Sequence, residues 1–211
     1  SGVGLLFDYI IIHESAHEWF GNSITSKDIA DMWIHEAFGM YAESVFIECN
    51  YGFEKALLYV NGNQHNIRYD KPIIGQYGVN YKGTYDMYYK GALMLNTIRS
   101  VIDNDEKWYA MLSKFSNTFR HKIIDTKTVV DFFNQESGLT LTPIFDQYLR
   151  YIDIPVFEYR IRKKRLEFRW KTDIVNFSMP LDINIKGKKI RLHPTSAWQK
   201  WNGKIVKSKE V

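Results

Sequence analysis

The sequence predicts a mainly α-helical protein with an appended antiparallel β domain. Over most of residues 5–151, apolar side chains recur at the three- and four-residue spacing of amphipathic helices. At Pro155 the period changes to two, and aromatic or aliphatic residues alternate with charged ones, as in strands with one solvated face. We therefore predict a helical domain over 1–152 and a small antiparallel β-sandwich over 153–211.

The composition fits a packed globular protein. The chain has 211 residues, of which 45% are hydrophobic and 16% aromatic, which is enough for one or two domains. A net charge of +4 is too small to indicate nucleic-acid binding. The basic residues of 160–171 alternate with apolar ones, so we expect a solvated sheet face there. No apolar run is long enough to span a membrane, and the single cysteine, Cys49, excludes an internal disulfide framework.

The first predicted helix, residues 5–20, ends at Gly21 and contains the pattern His-Glu-x-x-His. Positions four apart share one helix face, so His13 and His17 can bind one metal ion. Glu14 is rotated off that face and suits the role of a general base that holds the attacking water. The residues before His13 are almost all apolar, which predicts a buried helix.

A third candidate ligand, Glu36, lies on a second helix predicted from Ile29 or Met32 to Asn50. Glu36 shares an apolar face with Trp33 and Met40, and a carboxylate on such a face is expected to be paired or ligating. Two histidines and one glutamate leave the fourth position of a zinc ion open, which is the pattern of catalytic sites.

Other polar residues near this helix have simpler interpretations. Glu43 and Glu48 are expected to be solvated. Asp31 is interpreted either as a helix N-cap or as an outer partner of the metal site.

A long segment divides the remaining helices. Residues 67–86 are rich in Gly and Tyr and show no helical period, so we expect a loop that lines a cleft. Further helices are predicted at 53–66, from Asp86 onward, at 105–119, at 126–137 and at 143–151.

The pattern of His13, Glu14 and His17, followed after eighteen residues by Glu36, resembles the zinc signature of the M1 aminopeptidase family. Segments 17–22 and 33–38 also resemble the family's sequences around its ligands. His35 and Ala37 depart from it, since the family usually has Asn and Gly there.

A second resemblance lies at the predicted helix that begins at Asp86. The pattern Tyr88-x-Lys90-Gly91-Ala92 is similar to the family's second catalytic segment, whose tyrosine donates a hydrogen bond to the tetrahedral intermediate. In this register the tyrosine is Tyr88 and not its neighbour Tyr89.

The resemblance implies the helical lobe of a thermolysin-like zinc peptidase. It assigns one Zn²⁺ ion to His13, His17 and Glu36, the general base to Glu14 and oxyanion stabilisation to Tyr88. The implied activity is removal of N-terminal residues from peptide substrates. An inactive, zinc-stabilised interaction domain and an endopeptidase of the same fold are the alternatives. The presence of both Glu14 and Tyr88 argues against the first.

The family's arrangement also places a β-rich part of the catalytic domain, with the motif that binds the substrate amine, upstream of Ser1. We therefore expect the natural N-terminus to lie further upstream. Without that part, we expect this chain to expose apolar surface on its first helix, to self-associate, to bind zinc weakly or not at all, and to hydrolyse peptides negligibly. The sequence does not assign a cellular compartment.

Overall fold

The computed structural model describes residues 2–163, 165–201 and 203. The chain divides into two compact units, 1–152 and 153–211, and the change of period at Pro155 lies close to this junction. About half of the chain is helical, and its sheets are small. No helix among the described residues is both long and apolar enough to cross a membrane.

The helices of the first unit agree with the prediction in number and order, and most differ by only a few residues at their ends. A short 3-10 helix precedes the first α-helix, a second precedes the second α-helix, and a third follows the third α-helix. The α-helices are α1 (Tyr9–Ala16), α2 (Trp33–Tyr51), α3 (Phe53–Gly62), α4 (Asp86–Ile102), α5 (Asp105–Thr118), α6 (Thr126–Ser137) and α7 (Thr142–Arg150).

The first helix is shorter and more exposed than predicted. Asp8 caps α1, because its carboxylate accepts a hydrogen bond from the backbone N–H of Ile11. Leu5, Ile10 and Ile11 have exposed fractions of 90%, 53% and 60%. The prediction of a buried helix is therefore wrong for this chain, since only the face of α1 toward α2 is covered by the described residues. Self-association of the chain stays a prediction.

Helix α2 is the centre of the first unit and packs against α1, α3 and α4. Its closest approach to α4 depends on a glycine. A Cβ atom built on Gly91 would lie 2.6 Å from the Cβ of Ala37, a separation that real Cβ atoms do not adopt. Glycine at position 91 thus lets the helix that carries Tyr88 lie directly against the helix that carries Glu36.

The first unit also contains a short parallel strand pair, which the sequence did not predict. Strand β1 (Ile24–Ser26) pairs in parallel with β2 (Lys122–Ile124). Strands of three residues are too short to show alternation, and the partner lies about a hundred residues away. The pair ties the chain after α1 to the chain before α6.

The second unit is built from antiparallel strands, as predicted. Strands β3 (Val156–Arg162), β4 (Arg165–Lys171) and β7 (Gln199–Trp201) form a sheet in the order β3-β4-β7. Strands β5 (Leu181–Ile185) and β6 (Lys188–Leu192) form a separate hairpin. Its turn residues, Lys186 and Gly187, both have positive φ angles, as a two-residue type I′ turn requires.

Lys90 is a fully buried cation that ties α4 to the end of the first unit. Its ammonium donates hydrogen bonds to the carbonyl oxygens of Tyr151 at 2.6 Å and Ile152 at 2.8 Å. These carbonyls directly follow α7. Lys90 therefore holds the start of α4, where Tyr88 lies, against Tyr151 and Ile152 at the end of the first unit.

We expect Lys90→Met to lower the free energy of unfolding by about 2–3 kcal/mol, because it removes two hydrogen bonds from a fully buried ammonium to backbone carbonyl oxygens. Urea denaturation measures the change. The control is Lys127→Met, which removes an exposed lysine and should have little effect. Equal losses in the two variants would contradict the role assigned to Lys90.

Candidate metal site

The three candidate ligands come together in the structure. One possible ligand atom from each of His13, His17 and Glu36 lies within 4.8 Å of the others. The Nε2 atoms of His13 and His17 lie 3.2 Å and 3.6 Å from Oε2 of Glu36. Within the described part of the chain, no other three His, Cys, Asp or Glu side chains are arranged in this way. Two imidazoles and one carboxylate are a donor set that suits zinc.

Each histidine is held through its second ring nitrogen. Nδ1 of His13 lies 2.9 Å from Oε1 of Glu43. Nδ1 of His17 lies 3.0 Å from the carbonyl oxygen of Phe20, in the turn that follows α1. In both cases Nδ1 faces an acceptor while Nε2 faces Glu36, which is the orientation usual for histidines that bind metals.

The prediction that Glu43 and Glu48 are solvated is wrong. Glu43 is only 1% exposed, and its second carboxylate oxygen accepts a hydrogen bond from the hydroxyl of Tyr59 on α3. Glu48 pairs with Arg99 of α4, whose Nη2 lies 2.8 Å from Oε1 of Glu48. Both errors have one cause: α2 is covered on several sides, so its polar side chains meet partners from other helices. The one usable signal in the sequence was that Glu43 stands two helical turns after Glu36.

Asp31 has neither of the roles considered for it. It is fully buried, and its Oδ1 accepts hydrogen bonds from the hydroxyls of Tyr77 at 2.8 Å and Thr126 at 2.5 Å. It therefore connects the start of α2 to the 67–86 segment and to the start of α6. The actual N-cap in this region is Asp28, which accepts from the backbone N–H of Ala30 in a short 3-10 helix.

His35, which replaces the family's usual Asn, has a structural partner. Its Nε2 accepts a hydrogen bond from the backbone N–H of Ser26 at 2.9 Å. This contact ties the residue before Glu36 to strand β1. Burial lowers the pKa of His35, which favours the neutral ring that can accept this bond.

The charges of the site favour a cation. Burial lowers the pKa of His13, but hydrogen bonds and charge interactions with Glu36 and Glu43 outweigh it and raise the pKa to about 9. Burial opposes ionisation of Glu36, yet His13, His17 and Tyr88 together hold its pKa below the usual range. The carboxylates thus stabilise positive charge at His13, and a divalent ion would take the place of the proton on Nε2.

The site opens into a cavity of about 570 Å³. Glu14 and Tyr88 both line it, next to the candidate ligands. The ring of Tyr88 lies 5.8 Å from that of His13, measured between centroids. Burial, followed by the nearby carboxylate of Glu36, raises the pKa of Tyr88, so its hydroxyl keeps its proton.

Tyr89 lines the same cavity but has different neighbours. Burial raises the pKa of Tyr89, Glu43 and Tyr9 raise it further, and Arg68 lowers it. The pKa of Tyr88 is instead raised by burial and by Glu36, Tyr85 and Glu14. Tyr88 is therefore the tyrosine on the ligand side of the cavity.

The 67–86 segment contributes less to the cavity than expected. Residues 67–85 form no helix or strand, and only Tyr85 of this fully described segment is a lining residue. Tyr85 stacks on Tyr88 with ring centroids 6.1 Å apart. Tyr77 instead contacts Asp31. The prediction of a cleft-lining loop is correct only for the end of the segment.

A helical fold whose first helix presents His-Glu-x-x-His to a glutamate on the next helix defines the class of the chain, that of zinc metallopeptidases. The comparison with known families agrees. The sequence model of the family described as "Peptidase family M1 domain" matches residues 6–148 of this chain. The chain belongs to peptidase family M1.

Individual relatives are distant and longer. Aminopeptidase B of Homo sapiens is 24% identical over an alignment of 138 positions, which covers 59% of this chain and 21% of that protein. Probable aminopeptidase 2 of Sulfurisphaera tokodaii is 20% identical over an alignment of 202 positions, which covers 86% of this chain and 25% of that protein. The chain thus spans about a quarter or less of the length of these curated relatives.

Solved structures share the fold. The M1 zinc metallopeptidase of Deinococcus radiodurans matches with a TM-score of 0.61 and 22% identity, over 72% of this chain and 35% of that one. Aminopeptidase A of Legionella pneumophila, in complex with aspartic acid, matches with a TM-score of 0.61 and 15% identity, over 93% of this chain and 23% of that one.

Proposed function

We propose that this chain supplies the zinc-binding helical part of a peptidase, and that the whole enzyme is an aminopeptidase acting on peptides. The observation that carries the proposal is the convergence of His13, His17 and Glu36 at one cavity that Glu14 and Tyr88 also line. The relatives named as aminopeptidases support the exopeptidase form of the activity. One D. radiodurans structure contains a Tyr-Ser-Ala substrate, which is consistent with a peptide as substrate here.

Each side chain then has a distinct task. His13, His17 and Glu36 would hold one zinc ion, which when bound polarises the scissile carbonyl and lowers the pKa of water to roughly 7. Glu14 accepts the proton of the attacking water and passes it to the leaving amine. Tyr88, protonated at neutral pH, donates a hydrogen bond to the oxygen on which negative charge develops.

The alternatives make different use of the same cavity. An inactive interaction domain would have no need of Glu14 and Tyr88 beside the ligands. An endopeptidase would use all five residues and would accept a peptide whose N-terminus is blocked. Comparing aminoacyl-anilides with their N-acetylated forms separates exopeptidase from endopeptidase activity.

We also infer that the described residues of the second unit form a small β-sandwich, the fold predicted for 153–211. Leu166 and Phe168 of the three-stranded sheet and Leu192 of the hairpin belong to one buried apolar cluster. Sheets that bury their inner faces on each other in this way are the basis of sandwich folds.

The metal assignment can be tested by native mass spectrometry of this chain with added zinc. The three ligands are assembled within the chain, which favours binding over the weak or absent binding expected from the sequence. We expect one zinc per chain. The His17→Ala, Glu36→Ala double variant should lose more than ~100-fold in zinc affinity, because removing a group that only supports a ligand already costs ~10–100-fold and the ligands themselves contribute more. The control His65→Ala removes an exposed histidine on a 3-10 helix and should change nothing. Full zinc retention in the double variant would refute the assignment.

Zinc binding by this chain does not imply that the chain alone hydrolyses peptides. We expect hydrolysis of aminoacyl-anilides to be negligible beside that of a longer protein that contains the upstream region. A comparable kcat/KM in the two would show that residues 1–211 are a self-sufficient peptidase.

A further inference from the structure

We propose that Arg68 and Lys82 form a cationic rim on the substrate cavity, and that this rim favours peptides with a carboxylate close to the bond that is cleaved. The inference rests on the proposed function, because it assigns a substrate preference to the same cavity. The carboxylate can belong to the side chain of the N-terminal residue or to that of the residue after it.

The cationic rim is built around the ring of Tyr85, which lines the cavity. Cζ of Arg68 lies 4.4 Å and Nζ of Lys82 lies 5.1 Å from the centroid of this ring. A cation over an aromatic face within about 6 Å of the centroid is attracted by the ring. Two positive charges are therefore held at the edge of the cavity.

The backbone of Arg68 is fixed independently of its side chain. The carboxylate of Asp86, the first residue of α4, accepts hydrogen bonds from the backbone N–H groups of Arg68 at 2.7 Å and Tyr69 at 3.0 Å. Helix α4 also carries Tyr88, so one helix start positions both the proposed oxyanion donor and the rim. A variant that removes only the guanidinium leaves these bonds in place.

Both charges are available to a ligand. The two side chains are exposed, and within the described part of the chain they contact aromatic rings but form no ion pair with a carboxylate. Lys71 of the same segment differs, because its ammonium donates a hydrogen bond to the hydroxyl of Tyr81. A substrate carboxylate could thus pair with the rim without displacing another acid.

The cavity itself carries the opposite charge. Its carboxylates are those of Glu14, Glu36 and Glu43, and no lysine or arginine among the described residues lines it. A negative lining attracts the free amine of a peptide, but it repels a substrate carboxylate unless cations lie nearby. The rim supplies such cations beside the cavity.

The rim is also within reach of a bound peptide. The rings of Tyr85 and Tyr88 stack with centroids 6.1 Å apart, and the ring of Tyr88 lies 5.8 Å from that of His13. One residue of an extended peptide spans about 3.4 Å, and a glutamate side chain reaches further. A carboxylate on either residue next to the scissile bond can therefore approach Arg68 or Lys82.

The test measures substrate preference in the complete peptidase that contains this chain. Glutamyl-anilide is compared with glutaminyl-anilide, and the peptide Ala-Glu-Ala with Ala-Gln-Ala, so that the two pairs separate the two positions of the carboxylate. We expect kcat/KM to favour the acidic member of at least one pair by ~5–30-fold, because each exposed charge pair contributes up to about fivefold. The preference should lie mainly in KM and should weaken as ionic strength rises.

The Arg68→Gln, Lys82→Gln double variant should bring this ratio close to one and remove its salt dependence. The Arg68→Glu, Lys82→Glu variant should invert it. The matched control is Lys71→Gln. Lys71 also lies over a tyrosine ring, 4.8 Å from the centroid of Tyr81, but Tyr81 is not among the described residues that line the cavity. This variant should keep the wild-type ratio.

The proposal is overturned if the wild type favours the acidic member of neither pair. It is also overturned if the rim variants lower the melting temperature but keep the wild-type ratio, since Arg68 and Lys82 would then only stabilise the fold, or if Lys71→Gln loses the preference equally. Hydrolysis without preference refutes this inference alone. If the wild type hydrolyses none of the four substrates, the proposed function is wrong and this inference is refuted with it.

Discussion

Glu14→Gln should lower kcat by ~10²–10⁴-fold while zinc stays bound. Glutamine is close to glutamate in size but cannot accept the proton of the attacking water, and general-base catalysis contributes ~10²–10⁴-fold to the rate. Because Glu14 is not one of the converging ligands, the metal content should not change. The measurement is kcat for an aminoacyl-anilide in the peptidase that contains this chain, together with the zinc content of the same preparation.

The matched control for this experiment is Glu18→Gln. Glu18 is exposed, follows Glu14 by four residues and bonds to Asn22 at 3.1 Å. Its loss should leave turnover close to wild type. Wild-type activity in Glu14→Gln would show that another group takes the proton, and loss of zinc from that variant would place Glu14 among the ligands.

Tyr88→Phe should lower kcat by ~10²–10³-fold, the range seen when one oxyanion donor is removed. The change removes only a hydroxyl that interacts with Glu36 on the ligand side of the cavity. KM should change little, because the hydrogen bond is made to the charge that develops in the transition state. Steady-state kinetics with the same substrates separates the two parameters.

Tyr89→Phe provides the control within the same helical turn. Tyr89 lines the cavity too, but the ionisable groups that act on it are Glu43, Tyr9 and Arg68, and not Glu36. Its loss should cost far less activity. If Tyr89→Phe shows the large effect and Tyr88→Phe does not, the assignment of the catalytic tyrosine is wrong by one residue.

Features that depend on local spacing were predictable from the sequence alone. Residues four apart on a helix must share a face, so the pairing of His13 with His17 was readable before any fold was known. The position of Glu36 on the apolar face of the next helix was readable for the same reason, and the family's motifs placed Tyr88. The end of α6 also followed from local chemistry, because the predicted helix stops at Ser137 and the next residue, Gly138, has a positive φ.

The burial of polar side chains and the cover on each helix depend on the tertiary fold and were not predictable from the sequence. Glu43 and Asp31 look like ordinary helix-surface or capping residues in the sequence, but each meets partners that are distant along the chain. The parallel pairing of β1 with β2 and the exposure of the apolar face of α1 depend likewise on where other segments lie. The burial of a polar group is a property of its neighbours in space, and helical periodicity reports only the neighbours within one helix.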